Sequence, residues 1–500
     1  MITSKYTSLL IKSADCFCTP LLTCFYFEAV AKACDGIYHG SDGDKIKEVS
    51  AITTDSRQIQ PQGMFIAIKG ARSDGHAYID SCYDKGALCC ISEQELPGEK
   101  RPYIQVESSL QALKDIAQLY RANLDIKVVG ITGSVGKTST KETIAAVLSQ
   151  KYKVLKTQGN FNNEIGLPLT IFRLTEEDEI AVLEMGISDF GEMTRLTKIA
   201  QPDICVITNI GLCHLENLKS RDGILKAKTE IFKSMNPDGT VILNGDDDKL
   251  ITISEVYGKK PVFFGIKNTA GIYADHIENL GLEGVRCRIH MAADNAVQTE
   301  NQTENAAEDF TVQIPVAGEH MVYNAMAAAA VGEALGLTAE QIKTGIEGME
   351  TIAGRNHIIR ENGFLILDDC YNANPVSMKA SVDVLDTAKG RKVCILGDMF
   401  ELGENEKQLH YEVGSYLAQK QMDVLLTVGA LSTSIAQGAK DYRKNHAGAY
   451  PCSVHTFTTK EELIAQLPAL LKQGDNILVK ASHAMEFPKV IEAITEMTQE

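Results

Sequence analysis

Residues 127–150 read KVVGITGSVGKTSTKETIAAVLSQ, and the order of residue types within them decides the fold. The apolar run from Lys127 suits a buried strand, the glycines at 130, 133 and 136 suit a tight turn, and the segment from Lys137 has helical periodicity. In a turn placed between a strand and a helix, backbone N–H groups and the helix N-terminus converge and attract phosphate oxygens. Gly133, Ser134, Val135, Gly136, Lys137, Thr138 and Ser139 therefore form a candidate ATP-phosphate loop. Lys137 would reach the β and γ phosphates, and the Thr138 hydroxyl would hold Mg²⁺. The strict motif has glycine at position 131, where this chain has Ile131, so the spacing is a variant. The competing reading is a turn that binds nothing; Lys-Thr directly after the last glycine argues against it.

Outward from this stretch, strand-like runs EIAVLEMG, DICVITNIG and TVILNGDD alternate with helical patterns, which implies a mainly parallel sheet covered by helices. Glu184 ends the first of these runs at the edge where a parallel sheet presents its ligands, and can supply a Mg²⁺ oxygen ligand. On the N-terminal side, from near Phe25, short runs such as MFIAIKG and ALCCIS form a smaller α/β unit. On the C-terminal side, VRCRIHM and FTVQIPV flank the polar stretch Met291–Asp309, which reads as a solvated hairpin tip. The helix NAMAAAAVGEALGL follows, and then FLILDD, VCILGD, DVLLTVG and NILVKAS begin a Rossmann-like series. The expectation is an α/β chain of three domains, 25–125, 126–349 and 350–500, preceded by an extension of unknown role at 1–24.

At 500 residues the chain is too long for one core, which agrees with several domains. A net charge of −17 excludes a broad nucleic-acid or anionic-membrane surface, because such surfaces need excess Lys and Arg. Thirteen cysteines include no C-x-x-C pair, so a reduced, cytoplasmic protein is expected, with Cys205 and Cys394 as small buried hydrophobes. No apolar run is long enough to span a bilayer, and Lys12 and Asp15 break up any signal peptide at the start.

The stretch TGSVGKTSTKE resembles the T-G-x-x-G-K-T/S ATP loop of the Mur ligase family, and NIGLCHLENL and ILKAKTEIF are similar to two further family segments. The resemblance runs from about Phe25 to the C-terminus and implies an N-terminal UDP-sugar-binding domain, a central ATPase domain and a C-terminal Rossmann-like domain. It also implies ATP and two Mg²⁺ as cofactors, with His214 on the second ion and Lys228 carbamylated. Carbamylation turns a cation into an anionic oxygen ligand, which suits a lysine beside a metal. Taken alone, His214 could be a satisfied loop histidine and Lys228 a solvated helix residue, and Lys226 stands two positions away.

LDDCYNANPVSM, GDMFELGE and GNFNNEIGLPLT resemble the branch of the family that adds D-alanyl-D-alanine to a nucleotide-linked muramoyl tripeptide. By that resemblance Asn324 would contact adenine, Arg355 and Asp369 would meet ribose or phosphate, and Tyr371 and Asn372 would lie beside the nucleotide. Ser56 and Arg57 would lie near the UDP-sugar, and Asn160, Asn162 and Asn163 along the muramoyl peptide. The alternatives are a capped turn at Asp55-Ser56-Arg57 and a loop of backbone-bonding amides at Asn160–Asn163. His410 is a candidate for the dipeptide side, or else a helix-surface histidine. Two departures from the family pattern are His483, where arginine is common, and Met321, where asparagine is common.

The reaction implied is attack of the tripeptide carboxylate on ATP, an acyl phosphate, and its capture by the amine of D-alanyl-D-alanine, giving UDP-N-acetylmuramoyl-pentapeptide, with the C-terminal domain closing over the site. The protein would act as a monomer, without nucleic acid or membrane insertion. The rivals are another Mur-type or folylpolyglutamate-type amide ligase, and a P-loop ATPase regulator that makes no amide.

Overall fold

The structure is a computed structural model that describes residues 26–70, 73–291 and 308–497. The extension expected at 1–24 and nearly all of the polar hairpin tip lie outside the described residues. The chain divides into two compact units, the first ending at Asp125 and taking in residues 175–177, the second holding the remainder.

The first unit is built on a five-stranded sheet in the order Ile37–His39, Tyr103–Gln105, Cys89–Ser92, Met64–Ile66, Ile52–Thr53, parallel except for its first pair. Phe65 and Cys90 project into a core with Ile59, Ile79, Cys82 and Tyr83. The runs MFIAIKG and ALCCIS thus become two of its three inner strands.

The second unit contains two sheets. The larger has nine strands, and its parallel part places Lys127–Thr132 between Ile180–Glu184 and Ile204–Ile207, with Val154–Lys156 outside the former. The chain winds from Lys127–Thr132 first to one side and later to the other, so a topological switch point falls at the C-terminal end of that strand, where α/β sheets leave a crevice for ligands. On the far side the sheet continues through Thr240–Asn244, Val262–Gly265 and Ile272–Asn279, then turns antiparallel through Val285–His290 and Phe310–Ile314. The last two are the expected hairpin arms. Their alternating burial, inward at Val285, Cys287 and Ile289, is what a sheet wet on one face requires.

One face of this sheet is covered by the helices Lys137–Leu148 and His320–Ala334. The second is alanine-rich and buried nearly all round, because small side chains let it approach the first closely. The helix Ala339–Glu347 comes closer still: a Cβ on Gly345 would lie 2.4 Å from the Cα of Val147, so this contact is backbone against backbone.

The third sheet has the order His357–Glu361, Phe364–Asp368, Asn476–Lys480, Lys392–Gly397, Val424–Val428, Ser453–Phe457, parallel except for the first pair. Its four central strands are the expected apolar runs. The two edge strands carry polar or half-exposed residues, and the apolar runs alone did not reveal them. All ten described cysteines are free, and Cys205 and Cys394 are buried within strands, where desolvation holds both thiols well above their ordinary range. No described helix is long and apolar enough to cross a membrane.

Candidate active site

The phosphate loop leaves the strand Lys127–Thr132 at the switch point and is fixed by the neighbouring strand end. Ser134 N–H donates to the Asn209 carbonyl at 3.0 Å and Val135 N–H to Asn209 Oδ1 at 3.0 Å, while Asn209 Nδ2 and Thr208 Oγ1 return bonds to the Val135 carbonyl at 2.9 and 2.6 Å. A Cβ at Gly133 would sit 1.9 Å from Thr208 Oγ1, so no other residue fits there. Gly136, at φ 84°, turns the chain into the helix Lys137–Leu148. Lys137 Nζ donates to the Gly133 carbonyl at 2.9 Å, folded over its own loop.

Behind the loop, the Thr138 hydroxyl donates to Glu184 Oε2 at 2.9 Å and the Asn162 amide donates to Glu184 Oε1 at 2.9 Å. Glu184 is 2% exposed. Its N–H bonds Thr157 Oγ1 at 3.0 Å, and the Thr157 carbonyl accepts Lys141 Nζ at 2.7 Å. The carboxylate is therefore aimed by Thr138 and Asn162, while the strand end that carries it is held through its backbone by Thr157, which Lys141 holds in turn. Sequence reasoning gave a role to neither: Thr157 lies in no quoted motif, and Lys141 lies in the quoted phosphate-loop stretch without a part assigned to it; both are polar and fully buried.

Lys228 is buried on the helix Arg221–Thr229, and burial, with Lys137 nearby, brings its ammonium down to about 7. Lys226 on the same helix is exposed, which favours Lys228 as the lysine of the site. His214 has φ 56°, and its Nδ1 lies 2.8 Å from Glu401 Oε2. Burial favours its neutral form, the form that ligates a cation. These donors fit a hard divalent ion: a hydroxyl and a carboxylate already share a hydrogen bond, and the lysine can lose its charge. Among the described residues no three His, Cys, Asp or Glu side chains cluster closely enough to hold a metal alone, so an ion here would draw further oxygens from phosphates.

The third sheet brings Tyr371 to the same place. Its ring lies 4.0 Å from the Arg355 guanidinium carbon and 5.4 Å from the ring of His483, and its phenol is raised mainly by burial, with the nearby Glu184 charge adding to it and Arg355 opposing. The signature segment ends in a capping box, in which Asn374 Oδ1 accepts Ser377 N–H at 2.9 Å and Pro375 opens the helix Pro375–Asp386. The Asn374 amide also lies 3.7 Å from Cys213 Sγ, next to His214.

Other candidates are engaged elsewhere. Asn324 lies under the loop, where Oδ1 accepts the Thr140 hydroxyl at 2.9 Å and Nδ2 meets Met321 Sδ at 3.3 Å, so the methionine departure supplies a partner for Asn324. Asp369 is held by Lys480 Nζ and Ser381 Oγ, both at 2.5 Å. Asn372 is exposed. Asn163 Oδ1 accepts from Ile165 and Gly166 N–H where the helix Gly166–Ile171 begins, and Asn160 is exposed. In the first unit the capped turn is present: Asp55 accepts from the backbone and guanidinium of Arg57, which brings its carboxyl down to about 2, and the Ser56 carbonyl accepts Lys85 Nζ. His410 is neither a surface residue nor open to a dipeptide. It is fully buried, Nε2 accepting Met399 N–H at 2.9 Å and Nδ1 donating to the Glu406 carbonyl at 2.7 Å.

The sequence matches the Mur ligase middle domain over residues 131–332, the Mur ligase glutamate ligase domain over 354–483 and the Mur ligase family catalytic domain over 48–121. It is 35% identical over 461 residues to the UDP-N-acetylmuramoyl-tripeptide–D-alanyl-D-alanine ligase of Bacillus subtilis (strain 168), covering 90% of this chain and 93% of that protein. The chain belongs to the Mur ligase family. MurF from Acinetobacter baumannii superposes on this Mur ligase with a TM-score of 0.83 at 32% identity, over 95% of this chain and all of that one. MurF from Thermotoga maritima, solved in complex with ADP, gives 0.76 at 30% identity, over 89% of this chain and 97% of that one. The three-domain α/β fold of this Mur ligase is thus the fold its sequence implied, with the phosphate loop inside the segment that matches the middle domain.

Proposed function

We propose that this Mur ligase joins D-alanyl-D-alanine to UDP-N-acetylmuramoyl-tripeptide, with ATP converted to ADP and phosphate, in peptidoglycan precursor synthesis. The observation that carries the reading is the end-to-end match to D-alanyl-D-alanine ligases, at 35% identity over 90% of the chain. The separate cores under the two sheets of the second unit support a division near residue 350 between a central ATP-binding domain and a C-terminal domain.

The tripeptide carboxylate attacks the γ phosphorus of ATP, ADP leaves, and an acyl phosphate forms. The amine of D-alanyl-D-alanine then attacks that carbonyl, and phosphate departs with the amide in place. In the first step charge accumulates on the phosphoryl oxygens, and Lys137 and the loop N–H groups are positioned to oppose it. Mg²⁺, when bound, would neutralise phosphate charge from a site formed by Thr138, Glu184, His214 and carbamylated Lys228. Neutral Lys228 adds CO₂ at Nζ and releases a proton, so its burial prepares the modification. The stacked Arg355 and Tyr371 form one wall for the nucleotide, and Asn324 reaches adenine only by exchanging Met321 for the base. Ser56 and Arg57 remain the proposed contacts to the UDP-sugar, and Asn160, Asn162 and Asn163 those to the muramoyl peptide. The reading carries a cytoplasmic monomer.

The test is phosphate release with ATP, UDP-N-acetylmuramoyl-tripeptide and D-alanyl-D-alanine, together and with each omitted, with mass spectrometry of the product. A pentapeptide that requires all three is the expected result. ATP turnover indifferent to both peptides would overturn the reading.

A further inference from the structure

The helix Lys137–Leu148 opens on the phosphate loop, and three polar residues near its start, Thr138, Thr140 and Lys141, are buried. Buried polar groups are stable only when bonded, and each of these bonds a different element. Thr138 and Lys141, three residues apart and so on one face of the helix, reach Glu184 and the Thr157 carbonyl at two neighbouring strand ends. Thr140 lies off that face. Its hydroxyl donates to Asn324 Oδ1 at 2.9 Å, on the helix His320–Ala334, whose other buried residues are apolar or glycine. The link continues to the loop. Thr140 N–H donates to the Gly136 carbonyl at 2.8 Å, and a Cβ on Gly136 would stand 3.5 Å from Asn324 Oδ1. The Asn324 amide therefore lies beside the left-handed residue at which the loop becomes helix.

We infer that Thr140 and Asn324 are positioning residues for the phosphate loop. The amide, carried by a helix packed into the core, holds the first turn of Lys137–Leu148 through Thr140 and so sets the direction of the N–H groups that receive phosphate oxygens. This role uses Asn324 Oδ1, whereas the adenine contact proposed above uses Nδ2. The two roles differ in consequence: loss of a base contact weakens nucleotides alone, while loss of a held loop weakens any chain of phosphates. The inference rests on the ligase reading only through the assignment of the loop to the phosphates of ATP.

The experiment is calorimetric titration of the full chain, with Mg²⁺ and no peptide substrate, using ADP and inorganic tripolyphosphate, which has no base. Thr140→Val keeps the side chain's shape and removes the hydroxyl. It is expected to weaken both probes by the same factor, on the order of 3- to 10-fold. Thr140→Ser keeps the donor and is expected to bind both as the wild type does. Asn324→Ala is expected to weaken tripolyphosphate as Thr140→Val does, and the double variant to lose no more, because both act through one bond. Titrations well below the melting temperature report the folded protein, so a loss of global stability alone does not move them. Wild-type tripolyphosphate affinity in Thr140→Val overturns the inference. So does an Asn324→Ala that loses ADP and keeps tripolyphosphate, or a Thr140→Ser as weak as Thr140→Val. Failure of the ligase reading would appear separately, as absence of pentapeptide in an assay this titration does not use.

Discussion

Thr138 and Glu184 meet behind the phosphate loop, the hydroxyl donating to Oε2 at 2.9 Å while Asn162 holds Oε1 at the same distance. The pair joins the first turn of the loop's helix to the end of the adjacent strand, so the proposed nucleotide and metal sites share one seam. Glu184→Gln preserves the side chain's size and one accepting oxygen but removes its charge. Turnover should fall by about 100- to 1,000-fold, as expected when charge stabilisation is lost at a reacting phosphate. The melting temperature should hold within a few degrees. Steady-state kinetics at several Mg²⁺ concentrations, together with calorimetry, check this; activity near wild type would remove Glu184 from the metal site.

Lys228 has its ammonium brought down to about 7 by burial. Its neutral fraction should therefore rise from about one-tenth at pH 6 to about nine-tenths at pH 8. Since only the neutral amine adds CO₂, a carbamate signal in ¹³C NMR with labelled bicarbonate should grow over the same interval. Lys228→Arg should abolish it and Lys226→Arg should leave it. A signal that follows Lys226 would reassign the modified residue.

How much of this was legible in the sequence depends on how local each relationship is. The phosphate loop, Glu184 and the central strands are written in contiguous residues, because buried parallel strands are uninterrupted apolar runs. The edge strands His357–Glu361 and Ser453–Phe457 were not, since half-exposed strands mix polar and apolar residues and resemble loops. At the site, His214 and Lys228 were found only by resemblance. Thr140 was quoted within the loop motif without a role, because Asn324, which its hydroxyl bonds, lies on another helix and no spacing rule connects them. Asp369 was read as a ligand residue, yet its carboxylate also holds an internal ion pair that the sequence cannot display.

That ion pair yields a stability prediction. Lys480 Nζ bonds Asp369 Oδ2 and the Asn372 carbonyl, so it fixes both ends of the turn that carries Tyr371. Lys480→Met would leave a buried carboxylate without its cation, at a cost of about 3–5 kcal/mol. Asp369→Asn with Lys480→Met should recover part of that loss, because the double change leaves no charge behind. Denaturant unfolding of the single and double variants measures the difference; a double variant no more stable than Lys480→Met would show that the pair's role is not electrostatic.

His410 offers the test that best separates structure from substrate contact. Its Nε2 accepts Met399 N–H, so the native fold requires the neutral ring, and burial lowers its pKa from the ordinary 6.5. The folded state then binds fewer protons at this site than the unfolded state as pH falls below about 6.5. Stability contributed here is accordingly present above that pH and declines below it, until the folded value is passed. His410→Gln, which can still accept from Met399, should flatten this part of the stability–pH curve while changing the Michaelis constant for D-alanyl-D-alanine by less than about twofold, since the ring has no free nitrogen to offer a ligand. Thermal unfolding between pH 5 and 8, beside dipeptide titrations at pH 8, distinguishes the two roles. A Michaelis constant raised about tenfold or more with an unaltered stability curve would return His410 to the dipeptide site.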